Sequence, residues 1–233
     1  MLRWSASLWS FTRYTASQVF AGKFAWFLLL ALVMFCTLVV ANAAQEEVPP
    51  NAATVFYFLL VPGLLLTFYP SAYTLQSDVD ARMLETFFGI PDYRFKVWLA
   101  RHLVQQLAIA AILLGLAALC DLALAELPAW SLVFHVMFPI AFLSSIGFML
   151  ATLCRSGNGT AAVLLIVGFG CWILEGAVGG TRWSIYLNPF ERSSADYLAY
   201  GTEVYYSRAY LLVGSGGATL LALLRLQRRE RFV

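Results

Sequence analysis

The stretch Phe24–Ala44 reads FAWFLLLALVMFCTLVVANAA and contains no charged residue. About 20 consecutive apolar residues, wound as an α-helix, match the thickness of the hydrocarbon core of a bilayer. A helix that is apolar on every side does not lie at the surface of a water-soluble domain. This stretch therefore predicts a membrane-spanning helix, and it sets the interpretation of the rest of the chain.

Five more apolar stretches follow the first one. The chain of 233 residues is 61% hydrophobic and only 12% charged, whereas soluble domains are nearer a quarter charged. Its length accommodates six spans with short connections and leaves no room for a separate soluble catalytic domain. We predict an all-α integral membrane protein with one transmembrane domain over residues 1–233. The predicted spans are 24–44, 53–75, 97–120, 129–154, 160–178 and 209–224.

The positive residues are distributed unequally between the loops. When six spans are threaded through a membrane, all but three of the 15 Lys and Arg residues fall on one side. The three exceptions are Arg182, Arg192 and Arg208. Because cytoplasmic loops carry the excess of positive charge, both termini are predicted in the cytoplasm and residues 181–207 outside.

The residues before the first span predict a helix at the membrane surface. Trp4, Leu8 and Phe11 fall on one side of a helical wheel. Arg13 falls on the opposite side. Since a helix with one apolar and one charged face suits the boundary between lipid and water, we expect an interfacial elbow helix over residues 2–20.

The charged loop between the second and third spans predicts a second amphipathic helix. Ser77 and Asp80 have the spacing of a capping box, and Gly89 and Pro91 end the helical pattern. The predicted helix therefore covers residues 77–88.

The apolar and charged residues of helix 77–88 separate on a wheel. The apolar face holds Val79, Met83, Leu84, Phe87 and Phe88, and the charged face holds Asp78, Arg82 and Glu85. Two interpretations remain open. The helix either caps the bundle at the membrane surface, or it is a rigid lever that docks into a soluble partner.

The sequence lacks the common motifs for catalysis and nucleotide binding. It has no G-x-x-x-x-G-K-[ST] loop for phosphates and no H-E-x-x-H zinc motif, and its four cysteines have no C-x-x-C spacing. The net charge of +2 gives no indication of nucleic-acid binding. We therefore expect that a partner binds any nucleotide that the protein uses.

Two ionisable residues within the predicted spans, Glu175 and His135, form a candidate intramembrane polar site. An ionisable side chain inside a membrane is energetically costly and is often functional. One interpretation is therefore a membrane enzyme or a proton-coupled carrier that works alone. The other is that Glu175 reaches the interface at the end of its span and that His135 packs in the core.

The segment 80–101 reads DARMLETFFGIPDYRFKVWLAR and follows an interfacial helix and two spans. In this order it resembles the permease subunits of type-2 ATP-binding-cassette (ABC) exporters. That family has a Gly-Thr-Leu-Glu stretch, a proline-containing turn, an arginine, and a Lys or Arg shortly afterwards. Arg82-Met83 stands where Gly-Thr is usual, which indicates a divergent subgroup. The matching residues are Leu84, Glu85, Pro91, Arg94 and Arg101.

The resemblance implies partners for the chain. In such permeases the loop between the second and third spans is a coupling helix that contacts a separate ATPase subunit. ATP and Mg²⁺ belong to that subunit, so this chain is expected to hold no cofactor or metal and to catalyse no reaction. Each permease pairs with a second copy or a paralogue and is surrounded by membrane lipids. The implied contact residues are Arg82, Met83, Glu85, Phe87 and Phe88.

The resemblance also implies a location and a transport direction. Residues 181–207 would form external re-entrant helices before the last span, and Leu187-Asn188-Pro189-Phe190 resembles a family feature at this place. The implied activity is export of an amphiphile, drug, peptide, glycan or lipid across a bacterial inner membrane. A non-transporting anchor subunit of a larger membrane complex is the remaining alternative.

Overall fold

The computed structural model describes residues 24–45, 50–80, 94–123, 126–154, 156–191 and 197–226. Each long helix in these ranges is apolar and long enough to cross a membrane, so the prediction of six such helices is confirmed. A π-helical turn, Arg94–Leu99, leads directly into the third helix. The helices are α1 Phe24–Gln45, α2 Ala52–Asp80, α3 Ala100–Ala123, α4 Ala129–Cys154, α5 Gly157–Val178 and α6 Tyr197–Arg225.

Two predicted amphipathic helices fall largely outside the described residues. The elbow helix over 2–20 lies wholly outside them, as do Arg82, Met83, Glu85, Phe87 and Phe88 of the predicted coupling helix. The start predicted for that coupling helix is wrong, because residues 77–80 belong to the end of α2. Ser77 is not a helix cap: its Oγ donates to the Tyr73 carbonyl oxygen, 2.9 Å away and one turn back in the same helix.

The helices α2 and α4 form the centre of the bundle and contact each other most extensively. Leu59 and Leu66 of α2 and Ile140 of α4 are completely buried between them. The backbones approach closely because small residues lie at the crossing. A Cβ atom added to Gly147 would lie 2.6 Å from the Ser71 Cβ, and one added to Gly63 would overlap the Ile140 side chain.

Three prolines lie inside these two central helices: Pro62 and Pro70 in α2 and Pro139 in α4. All three are buried. A proline supplies no backbone N–H, so the carbonyl group one turn earlier loses its α-helical donor. Membrane helices tolerate this loss where neighbouring helices surround the site, as they do here.

The helices α1 and α5 are the least buried of the six, with 17% and 11% of their most apolar windows inside the bundle. Their outward side chains are large and apolar, for example Leu30 on α1 and Ile166 and Ile173 on α5. Such surfaces are stable against lipid tails or against another membrane helix. These two helices flank the cleft that is described below.

The last helix begins earlier than its predicted start at residue 209. It starts at Tyr197, so residues 197–207 of the predicted re-entrant segment belong to α6. Polar residues such as Glu203 and Arg208 lower the local hydropathy without interrupting the helix. Residues 181–191 form turns, and no helix occurs among them. We call the end of the bundle where α5 ends and α6 begins the outer end, since it is predicted outside the cell.

Candidate functional site

Side chains of α6 hold the turns at the outer end by donating hydrogen bonds to the backbone carbonyl groups of those turns. Four such groups between residues 183 and 188 accept hydrogen bonds from hydroxyl or guanidinium donors on α6. The pairs are Ser207 Oγ to Ser184 O (3.0 Å), Arg208 Nη2 to Leu187 O (2.6 Å), Tyr210 OH to Trp183 O (2.9 Å), and Tyr200 OH to Asn188 O. Because the turns form few internal backbone bonds, these side chains replace the missing partners.

Asn188 fixes the same turns to α2. Its Nδ2 donates to the Ala53 carbonyl oxygen over 2.9 Å, and its Oδ1 accepts from the Phe190 N–H over 3.0 Å. The side chain is almost fully buried. Asn188 therefore connects the segment between α5 and α6 to the start of α2, and the outer end of the bundle is closed by hydrogen bonds on two sides.

Glu175 lies in the last turn of α5 and is half-buried. One carboxylate oxygen, Oε1, accepts a hydrogen bond from Ser184 Oγ. The other, Oε2, is buried and has no donor among the described residues, where Glu175 also forms no ion pair. Burial, and then the nearby Cys171 and Glu175, raise the pKa of Tyr186, so this phenol stays neutral beside the carboxylate.

His135 lies on α4 and packs between aromatic rings. Its imidazole is 5.3 Å from the Phe134 ring and 5.8 Å from the Phe190 ring. Its Nδ1 has no hydrogen-bond partner in the part of the chain that the structure describes. His135 and Glu175 thus contact different groups and lie in two separate surroundings.

A cleft of about 750 Å³ opens between α1, α2 and α5, and Leu143 of α4 also lines it. Its walls are almost entirely apolar. Glu175 lines the cleft at the outer end, and Thr67 lines it further along α2, although the Thr67 hydroxyl itself is buried. A mostly apolar cavity with a few polar groups is typical of ligand sites. The aromatic wall residues are Phe27, Tyr57, Phe68, Phe169, Trp172 and Tyr186.

Toward the other end of the bundle, six polar side chains form an inner polar cluster inside the membrane. Gln105 of α3 donates to Ser144 of α4 over 3.2 Å and to Ser71 of α2 over 3.4 Å. Ser71 and Ser144 also lie 3.3 Å apart. This half of the cluster therefore links three helices through one amide group.

The second half of the inner polar cluster centres on Ser145. His102 Nε2 of α3 lies 3.3 Å from Ser145 Oγ, and Thr219 Oγ1 of α6 donates to the same oxygen over 3.2 Å. His102 also stacks on Phe148. Because buried polar groups in a membrane need partners, the cluster fixes how α2, α3, α4 and α6 pack.

The sequence alone does not predict the inner polar cluster, because its helices are predicted only as apolar spans. The available signal is the spacing of His102 and Gln105, which places both on one helical face, together with the adjacent pair Ser144-Ser145. Arg101, which matches the family pattern, is also buried, and its guanidinium lies 5.3 Å from the centre of the Trp98 indole ring.

The described residues contain no group of three or more His, Cys, Asp or Glu side chains that suits a metal ion. Comparison with protein-family models, with curated proteins and with solved structures gives no match. The likeness of segment 80–101 to ABC permeases therefore stays a prediction from the residues themselves. The described part of the candidate site consists of the cleft, Glu175 and the hydrogen bonds that close the outer end.

Proposed function

We propose that this chain is the permease subunit of an ABC transporter and that it exports an amphiphilic compound. A separate ATPase subunit supplies the energy by docking on the loop that follows α2. A second copy or a paralogue completes the pathway. The protein lies in a bacterial inner membrane with both termini in the cytoplasm, and the ATPase subunit binds ATP and Mg²⁺.

The observation that carries this proposal is the position of the charged segment. It lies between two membrane spans, Ala52–Ser77 and Val97–Ala123, and on the more positive side of the chain. Its sequence separates an apolar face with Met83 and Phe87 from a charged face with Arg82 and Glu85. Such a segment suits a groove on a soluble partner, with apolar anchors and charges that set the register.

The inner polar cluster supports the proposal because it connects this loop to the rest of the bundle. Ser71 lies about 9 Å along α2 from Ser77, at the rise of an α-helix. Its hydrogen-bond partners lie on α3 and α4, and the second half of the cluster reaches α6. A displacement at the end of α2 would therefore reach α3 and α4 through hydrogen bonds, and α6 through Ser145, the chain neighbour of Ser144.

Affinity purification of the full chain from mild detergent tests the proposal. We expect a P-loop ATPase to co-purify in stoichiometric amounts with vanadate-sensitive activity. The double variant Met83→Asp with Phe87→Asp should release that ATPase, because two charges replace the apolar anchors. The control Met83→Leu with Phe87→Leu keeps the apolar face and should retain it. Retention of the ATPase by the aspartate variant contradicts the coupling-helix assignment.

A second function is a proton-coupled carrier that works alone, and one observation favours it. Glu175 lines the cleft, and one of its carboxylate oxygens has no donor within the described ranges. The two functions differ in their energy source. Transport by the purified chain in liposomes with a proton gradient and without any ATPase identifies the carrier, whereas transport only with ATP and a co-purified ATPase identifies the permease.

A further inference from the structure

We propose that the cleft between α1, α2 and α5 binds a lipophilic organic cation. The apolar body of this ligand fills the cleft, and its positive group lies beside the Glu175 carboxylate. The inference rests on the proposed function only in treating this ligand as the exported compound. Binding itself concerns this chain alone.

The size and walls of the cleft suit such a ligand. A volume of about 750 Å³ lies in the range of cavities that hold drug-sized molecules. The aromatic side chains on its walls include Phe68, Phe169 and Trp172. Aromatic faces attract cations as well as apolar surface, and the attraction grows when water is excluded.

The negative charge on the wall of the cleft favours a positively charged ligand. Glu175 is the ionisable carboxylate on its wall, and no Lys or Arg of the described segments forms an ion pair with it. A carboxylate without an ion-pair partner attracts a positive group that enters the cleft. A ligand cation would be the ion-pair partner that Glu175 lacks among the described residues.

The carboxylate is also held in place before a ligand binds. Ser184 Oγ donates to Glu175 Oε1, and Ser207 Oγ of α6 donates to the Ser184 carbonyl oxygen over 3.0 Å. A binding group that is already fixed loses little conformational freedom when the ligand arrives. The hydrogen bonds at the outer end therefore contribute to the affinity of the cleft.

The shape of the cleft sets the orientation of the ligand. Glu175 lies at the outer end, and Leu164 lines the wall about 16 Å further along α5, at the rise of an α-helix. The positive group is therefore near the membrane surface and the apolar body extends toward the middle of the bilayer. Between them Gly168 leaves open space, since a Cβ atom there would have no neighbour within 4 Å.

Equilibrium binding of radiolabelled tetraphenylphosphonium to the purified full chain in lipid nanodiscs tests the inference. This cation has no titratable group, so a change in its affinity reflects a change in the protein. We expect saturable binding, and we expect Glu175→Gln to weaken it roughly tenfold or more, the size of a lost interaction with a charged group. Glu203→Gln removes a carboxylate that does not line the cleft, and this variant should bind the cation with the affinity of the unchanged chain.

A second pair of variants tests the location. Gly168→Leu places a side chain in the open space of the cleft and should weaken binding at least tenfold, whereas Gly170→Leu adds the same side chain to α5 away from the cleft and should leave it unchanged. The neutral triphenylphosphine oxide should compete poorly. Three results would each overturn the inference. The first is that the cation shows no saturable binding, and the second is that Glu175→Gln binds it as tightly as the unchanged chain does. The third is that the neutral compound competes as well as an unlabelled cation.

These outcomes are independent of the ATPase. Binding without a co-purified ATPase supports the cleft and contradicts the permease assignment. Co-purification without cation binding supports the permease and removes the lipophilic cation as its ligand.

Discussion

Arg208 Nη2 donates a hydrogen bond to the Leu187 carbonyl oxygen over 2.6 Å, which joins α6 to the turns at the outer end. We expect Arg208→Ala to lower the free energy of unfolding by about 1–3 kcal/mol, since it leaves this buried oxygen without its donor. Thermal unfolding in detergent measures the loss. Arg182→Ala is the control, because Arg182 is exposed and its guanidinium carbon lies 5.8 Å from the centre of the Trp183 ring. An equal loss in both variants contradicts the role of the Arg208 bond.

The same hydrogen bond predicts a local change in exposure. In a chain without its four native cysteines, a cysteine at Ile185 should react faster with a soluble maleimide when Arg208 is replaced by alanine. The turns are then held at fewer points and open more often. Arg182→Ala should leave the labelling rate unchanged. Equal rates in all three backgrounds show that Arg208 does not restrain this segment.

Two adjacent glutamines on α3 differ in their surroundings, so we expect their replacement by leucine to have opposite effects on stability. Gln105 donates to both Ser71 and Ser144, so Gln105→Leu should cost about 1–2 kcal/mol, the upper range for interhelical hydrogen bonds in membranes. The side-chain amide of Gln106 has no hydrogen-bond partner within the described parts of the chain, so Gln106→Leu should be neutral or stabilising. Unfolding of both variants in mixed micelles provides the comparison, and a larger loss for Gln106→Leu refutes it.

Gly147 and Gly176 test which glycines hold helices together. A methyl group on Gly147 meets the Ser71 side chain of α2, so Gly147→Ala should destabilise the chain by about 1–3 kcal/mol. Gly176 has open space around its Cα, so Gly176→Ala should stabilise by up to about 1 kcal/mol through helix propensity. Apparent melting temperatures of the two variants should move in opposite directions.

The distribution of positive charge predicts the orientation of the chain. In intact cells a cysteine replacing Arg182 should react with an impermeant thiol reagent, and one replacing Arg155 should react only after the cells are opened. The background chain lacks its four native cysteines. Labelling at residue 155 in intact cells reverses the predicted topology.

Hydropathy was sufficient to predict the six helices because each is apolar and long enough to cross a membrane, where a helix satisfies its own backbone hydrogen bonds. It placed the start of the last helix at residue 209, because it measures transfer into lipid and not helix formation. Tyr200, Ser207 and Arg208 are polar but helical, and their side chains bind the neighbouring turns. Those bonds depend on the path of residues 181–191, which composition does not specify.

The candidate site was predicted only in part for a similar reason. Glu175 was recognised because a carboxylate in an apolar span is conspicuous. The cleft beside it depends on the distance between α1, α2 and α5, which is a property of packing. His102 and Gln105 were not recognised, because their partners Ser144 and Ser145 lie on another helix and serine is common in membrane spans.

Pro70 lies between Thr67, which lines the cleft, and Ser71, which belongs to the inner polar cluster. Because Pro70 cannot donate to the Leu66 carbonyl, bending α2 at this turn breaks no hydrogen bond from residue 70. Pro70 therefore divides α2 into two arms that we expect to bend relative to each other. One arm leads to residues 81–93, and the other forms a wall of the cleft. We therefore expect that a push on the first arm changes the angle of that wall.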